Sequence, residues 1–178
     1  MFVKEKDIII RRANKQDMQA VEQLSRELTA YHNITITTVN VAQTLQSDGF
    51  EREAPAFRCI VAEVETDGVV STVGFALYFP TYSFRRGRGM LLQDLYVKEH
   101  VRHRGVGKLL FEAVAKDCWS SGCSVLDFHV AEWNRARSFY ERFGAVNLTS
   151  TQGNHYWRLK DKALLAAAGQ APDIEHSH

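Results

Sequence analysis

Arg102-His103-Arg104-Gly105-Val106-Gly107-Lys108 gathers two glycines and three permanently cationic side chains into seven residues. It follows a strand-like run, GMLLQDLYV (89–97), and precedes Leu109, Leu110, Ala113 and Val114, which recur at helical spacing. The stretch therefore opens a helix. A helix N-terminus carries unpaired N–H groups and partial positive charge, a natural seat for a pyrophosphate. Glycine at 105 and 107 lets phosphate oxygens approach without meeting a Cβ. Arg102, Arg104 and Lys108 can add side-chain charge. The spacing differs from dinucleotide-binding and P-loop fingerprints, which disfavours those ligands. Taken alone, the same residues also suit an ordinary glycine turn with solvated charges. Downstream, Asn134 opens the helical run NRARSFYERF, which carries Tyr140. By itself Tyr140 reads as an ordinary buried helix tyrosine.

These residues need a scaffold, and its elements are legible along the chain. IIIRR (8–12) reads as a strand, and Asn14 with Asp17 three residues on caps a helix that turns Met18, Val21, Leu24 and Leu28 to the core. A shorter helix is expected over 40–47, closed by Gly49. FRCIVAEV (57–64) and VVSTVGFALYF (69–79) form a hairpin across Thr66-Asp67-Gly68, which Pro80 ends or leaves at an edge. SFRRGRG (83–89) reads as a solvated hairpin turn, with anion attraction as the alternative. Gly105–Ser121 forms a helix with Leu109, Leu110, Ala113 and Val114 on one face, stopped by Gly122. Strand 124–130, helix 134–143 stopped by Gly144, and strands near 145–150 and 155–160 complete the tally. A last Ala/Leu helix starts at Asp161 and gives way to a polar tail. The expected class is α/β, with one mixed sheet of six to seven strands flanked by helices.

Composition narrows the function classes. A formal net charge of +1 offers no excess of cations for broad nucleic-acid binding, and no apolar run reaches the roughly 20 residues of a membrane helix. The first residues lack the pattern of a secretory signal. Cys59, Cys118 and Cys123 have no metal spacing, so free thiols in a reducing, cytoplasmic setting are expected, and no metal.

The order strand, RxxGxG, helix, strand, helix, with Asn134, Phe139-Tyr140 and Gly144-Ala145, resembles the GCN5-related N-acetyltransferases. RELTAYH, DGFEREAPAFRCIVAEV, VGFALYFPTYS, LLQDLYV, RHRGVGKLL, VAEWNRARSFYERFGA and LTSTQG, spread over roughly 8–165, are similar to segments of the spermidine/spermine and thialysine acetyltransferases. The resemblance implies a single acetyltransferase domain over 1–165, with 166–178 a disordered tail. It also implies acetyl-coenzyme A as co-substrate, a small aliphatic amine as acceptor, and a homodimer. Gly105, Val106, Gly107 and Lys108 would contact pyrophosphate through their amides, with Arg102 and Arg104 nearby. The backbone of Leu95, Tyr96 and Val97 would pair with the pantetheine arm. Asn134 would touch the coenzyme, and Tyr140 would lie near its sulfur as general acid. Glu27, Asp94 and Glu132 are the acids expected at the acceptor. Gln93 stands where these relatives have a glutamate thought to act as base, and a Gln cannot take a proton near neutral pH. His32-Asn33-Ile34-Thr35-Ile36-Thr37 replaces an acid-rich stretch. Asp94, Glu132 or a water chain could supply the base, though Glu132 could instead pair with a surface arginine. A long polyamine is therefore the less favoured acceptor. The alternatives are transfer to a protein lysine or N-terminus, and a coenzyme A sensor with little turnover.

Overall fold

Bonding between strands is what sets the frame of the computed structural model, which describes residues 8–35, 37–153, 156 and 158–169. Five strands, β1 (Ile8–Arg12), β2 (Arg58–Thr66), β3 (Val69–Ser83), β4 (Gly87–Val97) and β5 (Val125–Phe128), lie in the order β1-β2-β3-β4-β5. The first four are antiparallel, and β5 adds parallel to β4. The helices are α1 (Met18–Tyr31), α2 (Val41–Gln46), α3 (Val106–Ser120), α4 (Arg137–Glu141), α5 (Leu148–Gln152) and α6 (Asp161–Ala167). The chain divides into two compact units, one up to His129 and one from Val130.

In the first unit, strand alternation sends successive residues to opposite faces. Cys59, Val61, Phe75 and Tyr96 pack with Met18, Val21 and Leu24 of α1. The opposite face of β3 meets α3: Tyr78 donates its hydroxyl to Asp117 Oδ2 at 2.8 Å, and a Cβ on Gly74 would meet Leu110 Cδ1 at 3.1 Å. Asp117 also accepts from Arg58 (2.9 Å) and Arg12 (2.6 Å), tying β1 and β2 to the same helix. The capping box at Asn14 forms as expected, on a short 3-10 turn that leads into α1. Asp67 and Gly68, at φ 53° and 78°, make the tight β2–β3 turn.

Several expectations change. Among the described residues the sheet has five strands: 148–152 forms α5, capped by Asn147, and Tyr156 and 158–160 are not strand. The remaining residues of the segment expected at 155–160 lie outside the described ones, as does the tail from 170. Polar, short-side-chain residues (Asn147, Thr149, Ser150, Thr151) favour a capped helical turn over a strand there. The helix expected over 134–143 is regular only over Arg137–Glu141, since Asn134 to Ala136 form a turn that feeds it. Gly49 does not close α2 but sits buried in a wide π-type turn, where its missing Cβ makes room for the Phe57 ring. β3 runs through Pro80 to Ser83, but β2 pairing stops at Tyr78, so Pro80 lies on a local edge. The buried face of α3 is Val106, Leu110, Phe111, Val114 and Cys118, while Leu109 is exposed, one residue being about 100° around the helix.

Candidate active site

Beyond Leu92, β4 has no second strand partner among the described residues. β5 pairs from Gly89↔Val125 to Leu92↔Phe128 and ends, while β4 continues along β3 to Val97. Lys98 N–H donates to Val73 O at 2.8 Å. Successive residues of a strand turn their main-chain groups to alternate edges, so Tyr96 also faces β3, and Leu95 and Val97 face the open edge. Consistent with this, a Cβ on Gly74 of β3 would meet Tyr96 O at 2.8 Å. Of the three backbone positions expected along the donor arm, Leu95 and the Val97 N–H face the open edge, the Val97 carbonyl accepts from Arg102 Nε at 3.0 Å, and alternation turns Tyr96 inward.

The end of β4 leads to the start of α3. Gly105, the N-cap, has φ +85°, a conformation glycine adopts without strain, and supplies no side-chain cap. Leu109 N–H is bonded to Gly105 O at 3.0 Å, so the N–H groups of Val106, Gly107 and Lys108 precede the helical ladder. A Cβ at 105 would meet nothing within 4 Å, and at 107 only Val97 Cγ2 at 3.8 Å. Open edge and uncapped helix thus adjoin, and they fit an elongated amide-bearing arm ending in a diphosphate. Arg104 and Lys108 are exposed at this loop, with Lys108 Nζ 3.5 Å from Glu112. A hollow of about 270 Å³ lies toward β1 and β2, lined by Ile8, Val64, Val101, His103, Arg104, Gly105 and Val106. Neither the residues of the open edge nor Asp94 line it, so the hollow is distinct from both.

On the α1 face, a bulge aims the acids. Leu92 stands opposite Tyr78 and Asp94 opposite Leu77, which leaves Gln93 as the extra residue. The bulge shifts the phase of the strand. Leu92 shares the α3 side with Tyr78, while Asp94 and Tyr96 fall on the α1 side. Gln93 is exposed and Asp94 half-buried. Burial pushes the Asp94 carboxyl above the usual carboxylate range, partly opposed by the charge of His32. Tyr96 donates its hydroxyl to Glu27 Oε2 at 3.1 Å. Arg102 donates from Nε to Val97 O at 3.0 Å, and its guanidinium carbon lies 5.3 and 5.5 Å from the ring centroids of Tyr31 and Tyr96. The fold therefore brings together Glu27, Asp94, Tyr96 and Arg102, with Tyr31 and His32 as additions that residue types had not singled out. The Gln93-Asp94 doublet, which interrupts the apolar alternation of β4, was the signal for the bulge.

The second unit holds the remaining candidates. Glu132 is exposed, and its carbonyl accepts from Arg137 at 3.3 Å. Asn134 Oδ1 accepts from Ala136 N–H at 2.9 Å, starting the turn into α4. Tyr140 lies on α4 with its ring 4.9 Å from that of Phe139, and burial raises its phenol above the usual value.

Residues 21–145 match the acetyltransferase (GNAT) family, and the chain belongs to it. It is an N-acetyltransferase, and the family implies acetyl-coenzyme A as co-substrate. The chain is 35% identical over 169 residues to a thialysine N-epsilon-acetyltransferase of Bos taurus, covering 92% of this chain and 98% of that one. It is 32% identical to spermidine/spermine N(1)-acetyltransferase-like protein 1 of Homo sapiens, over 89% of this chain and 23% of that protein. Among solved structures, an integron cassette protein from V. cholerae aligns over 91% of this chain and 98% of its own, with a TM-score of 0.70 and 24% identity, a likeness of fold. Among the described residues no helix is long and apolar enough to cross a membrane, and no cluster of three or more His, Cys, Asp or Glu could hold a metal.

Proposed function

We propose that this enzyme acetylates the terminal amine of a compact primary amine, such as a thialysine-like amino acid or a short diamine. The observation that carries the reading is the α1–β4 face, where two acids, Glu27 and Asp94, stand beside an exposed Gln93. An alkyl ammonium with a pKa of about 10.4 must lose a proton before it can attack. Asp94, made more basic by burial, takes that proton directly or through water. An N–H on the open edge of β4 hydrogen-bonds the acyl oxygen as negative charge builds there. The amides of Val106, Gly107 and Lys108 hold the pyrophosphate, helped by Arg104. Asn134 contacts the coenzyme, and Tyr140 protonates the departing thiolate. Its raised pKa keeps the phenol protonated over the working range. Glu27 faces the acceptor from α1, and Glu132 remains the other candidate acid. The resemblance to the polyamine enzymes supports a homodimer, and three buried free thiols support a reducing, cytoplasmic compartment. The test is thiol release from acetyl-coenzyme A with a panel of amino acids, diamines, polyamines and peptides. A compact amine should exceed spermine in kcat/KM. A wide preference for spermine, or for a peptide, would sink the proposal.

A further inference from the structure

Arg102 opens the donor loop, yet its side chain is engaged elsewhere. Its Nε is bonded to Val97 O at 3.0 Å, and its guanidinium lies against two rings, Tyr31 of α1 and Tyr96 of β4. Tyr96 in turn donates to Glu27, one helical turn before Tyr31. Four side chains and one carbonyl thus close a circuit: from the end of β4 to the loop, from the loop to the last turn of α1, and back to β4. An arginine over an aromatic face is attracted by the ring quadrupole, as a lysine is, but only the flat guanidinium can also stack on the ring while its Nε–H donates to a carbonyl. Arg104 and Lys108, both exposed at the same loop, are placed to meet an anion without leaving such a circuit.

We infer that Arg102 is a positioning residue for the acceptor amine, and not a ligand of the donor pyrophosphate. It holds the last turn of α1, with Glu27 and the following His32, against the stretch of β4 that carries Asp94. This rests on the reading that the acceptor meets the α1–β4 face. The two roles predict opposite splits. Loss of a pyrophosphate ligand weakens coenzyme A binding, whereas loss of the clasp loosens α1 and raises the acceptor KM.

The experiment compares Arg102→Gln, Arg102→Lys and Arg104→Gln in the full chain. Calorimetry with coenzyme A gives donor affinity, steady-state kinetics with the best amine of the panel gives acceptor KM, and amide hydrogen exchange follows residues 27–33. Both Arg102 variants should bind coenzyme A within about twofold of wild type, raise the acceptor KM on the order of tenfold, and exchange faster at 27–33. Arg104→Gln should weaken coenzyme A and leave exchange at 27–33 unchanged. Tyr31→Leu should reproduce Arg102→Gln without adding to it. Tenfold weaker coenzyme A binding in Arg102→Gln, with 27–33 unchanged, overturns the inference. The calorimetric and exchange arms need no acceptor, so failure of the small-amine reading would appear separately, as a panel without turnover.

Discussion

Replacing Gly74 by alanine tests whether β4 is held at a fixed height above α3. The added Cβ would lie 2.8 Å from Tyr96 O, 3.1 Å from Leu110 Cδ1 and 3.3 Å from Val97 Cγ2. The leucine tip can turn aside, but a backbone oxygen within a sheet cannot, so β4 must shift at Tyr96 and Val97. Overpacking costs about 1–3 kcal/mol, and the rigid contact puts Gly74→Ala in the upper half, about 2–3 kcal/mol. Alanine recovers about 0.5–1 kcal/mol of backbone entropy in a strand. The net loss is then about 1–2.5 kcal/mol, or a fall in Tm of about 2–10 °C for a chain of this size. Because the displaced residues form the open edge, coenzyme A should also bind more weakly. Gly107→Ala is the matched control: its Cβ meets only Val97 Cγ2 at 3.8 Å, so Tm should hold or rise while coenzyme A weakens. Calorimetric melting and coenzyme A titration of both proteins decide the matter. An unchanged or higher Tm for Gly74→Ala would falsify the close approach of β3 to β4.

The other expectations concern acids and the phenol. Tyr140→Phe should lower kcat on the order of 10²-fold with coenzyme A affinity intact, and wild-type turnover where chemistry limits the rate would leave Tyr140 a packing residue. Asp94→Asn should abolish most turnover and yet raise Tm at neutral pH. The carboxyl has a folded pKa above its unfolded one, so its stabilising contribution is present in acid and lost as pH rises through the folded value. A lower Tm at neutral pH would refute that account. At Asp117 burial raises the pKa, but the bonds from Arg58 and Tyr78 outweigh it and the pKa ends low. Its contribution is therefore present above about pH 4 and fades as pH falls through the folded value. Asp117→Ala should cost about 1–3 kcal/mol, chiefly from the orphaned Tyr78 hydroxyl, because Arg12 is largely exposed and adds little. Urea melts at pH 7 and pH 3 should show the gap from wild type shrinking in acid.

Much of the frame was written in local pattern. β1, the β2–β3 hairpin, α1 and the glycine-started α3 follow from period, caps and turn residues that act within a few positions. What escaped depends on partners distant in sequence. The bulge at Gln93 exists because Leu92 and Tyr96 must serve opposite faces, a demand set by α3 and α1 together. Leu109 looks as apolar as Leu110, and only the packing of α3 on β3 selects between them. Arg102 was legible as a cation near a phosphate loop. Its commitment to Tyr31 could not be read from spacing, since 71 residues separate them and the contact arises only when α1 folds over β4. The glycine-started helix entry at 102–108 was legible because glycine, helix start and charge are contiguous. The α1–β4 face could be named only through the resemblance, because it is assembled from α1, β4 and the loop.

The unpaired stretch of β4 has a consequence for the protein's life between turnovers. A sheet edge with free N–H and C=O groups is a template for any extended chain, and folded proteins ordinarily blunt such edges. With the donor lying along it, as proposed above, this edge would be covered in the loaded enzyme and bare only in the empty one, which is then the form open to such pairing. A ligand that binds only the native state stabilises it by RT ln(1 + [L]/Kd), about 2.7 kcal/mol at a hundredfold excess over Kd. On the proposed donor site, supply of the donor would stabilise this fold by mass action. When acetyl-coenzyme A and coenzyme A both run low, the enzyme should be cleared faster by proteases and should self-associate, so that its abundance follows the metabolic state without any dedicated regulator.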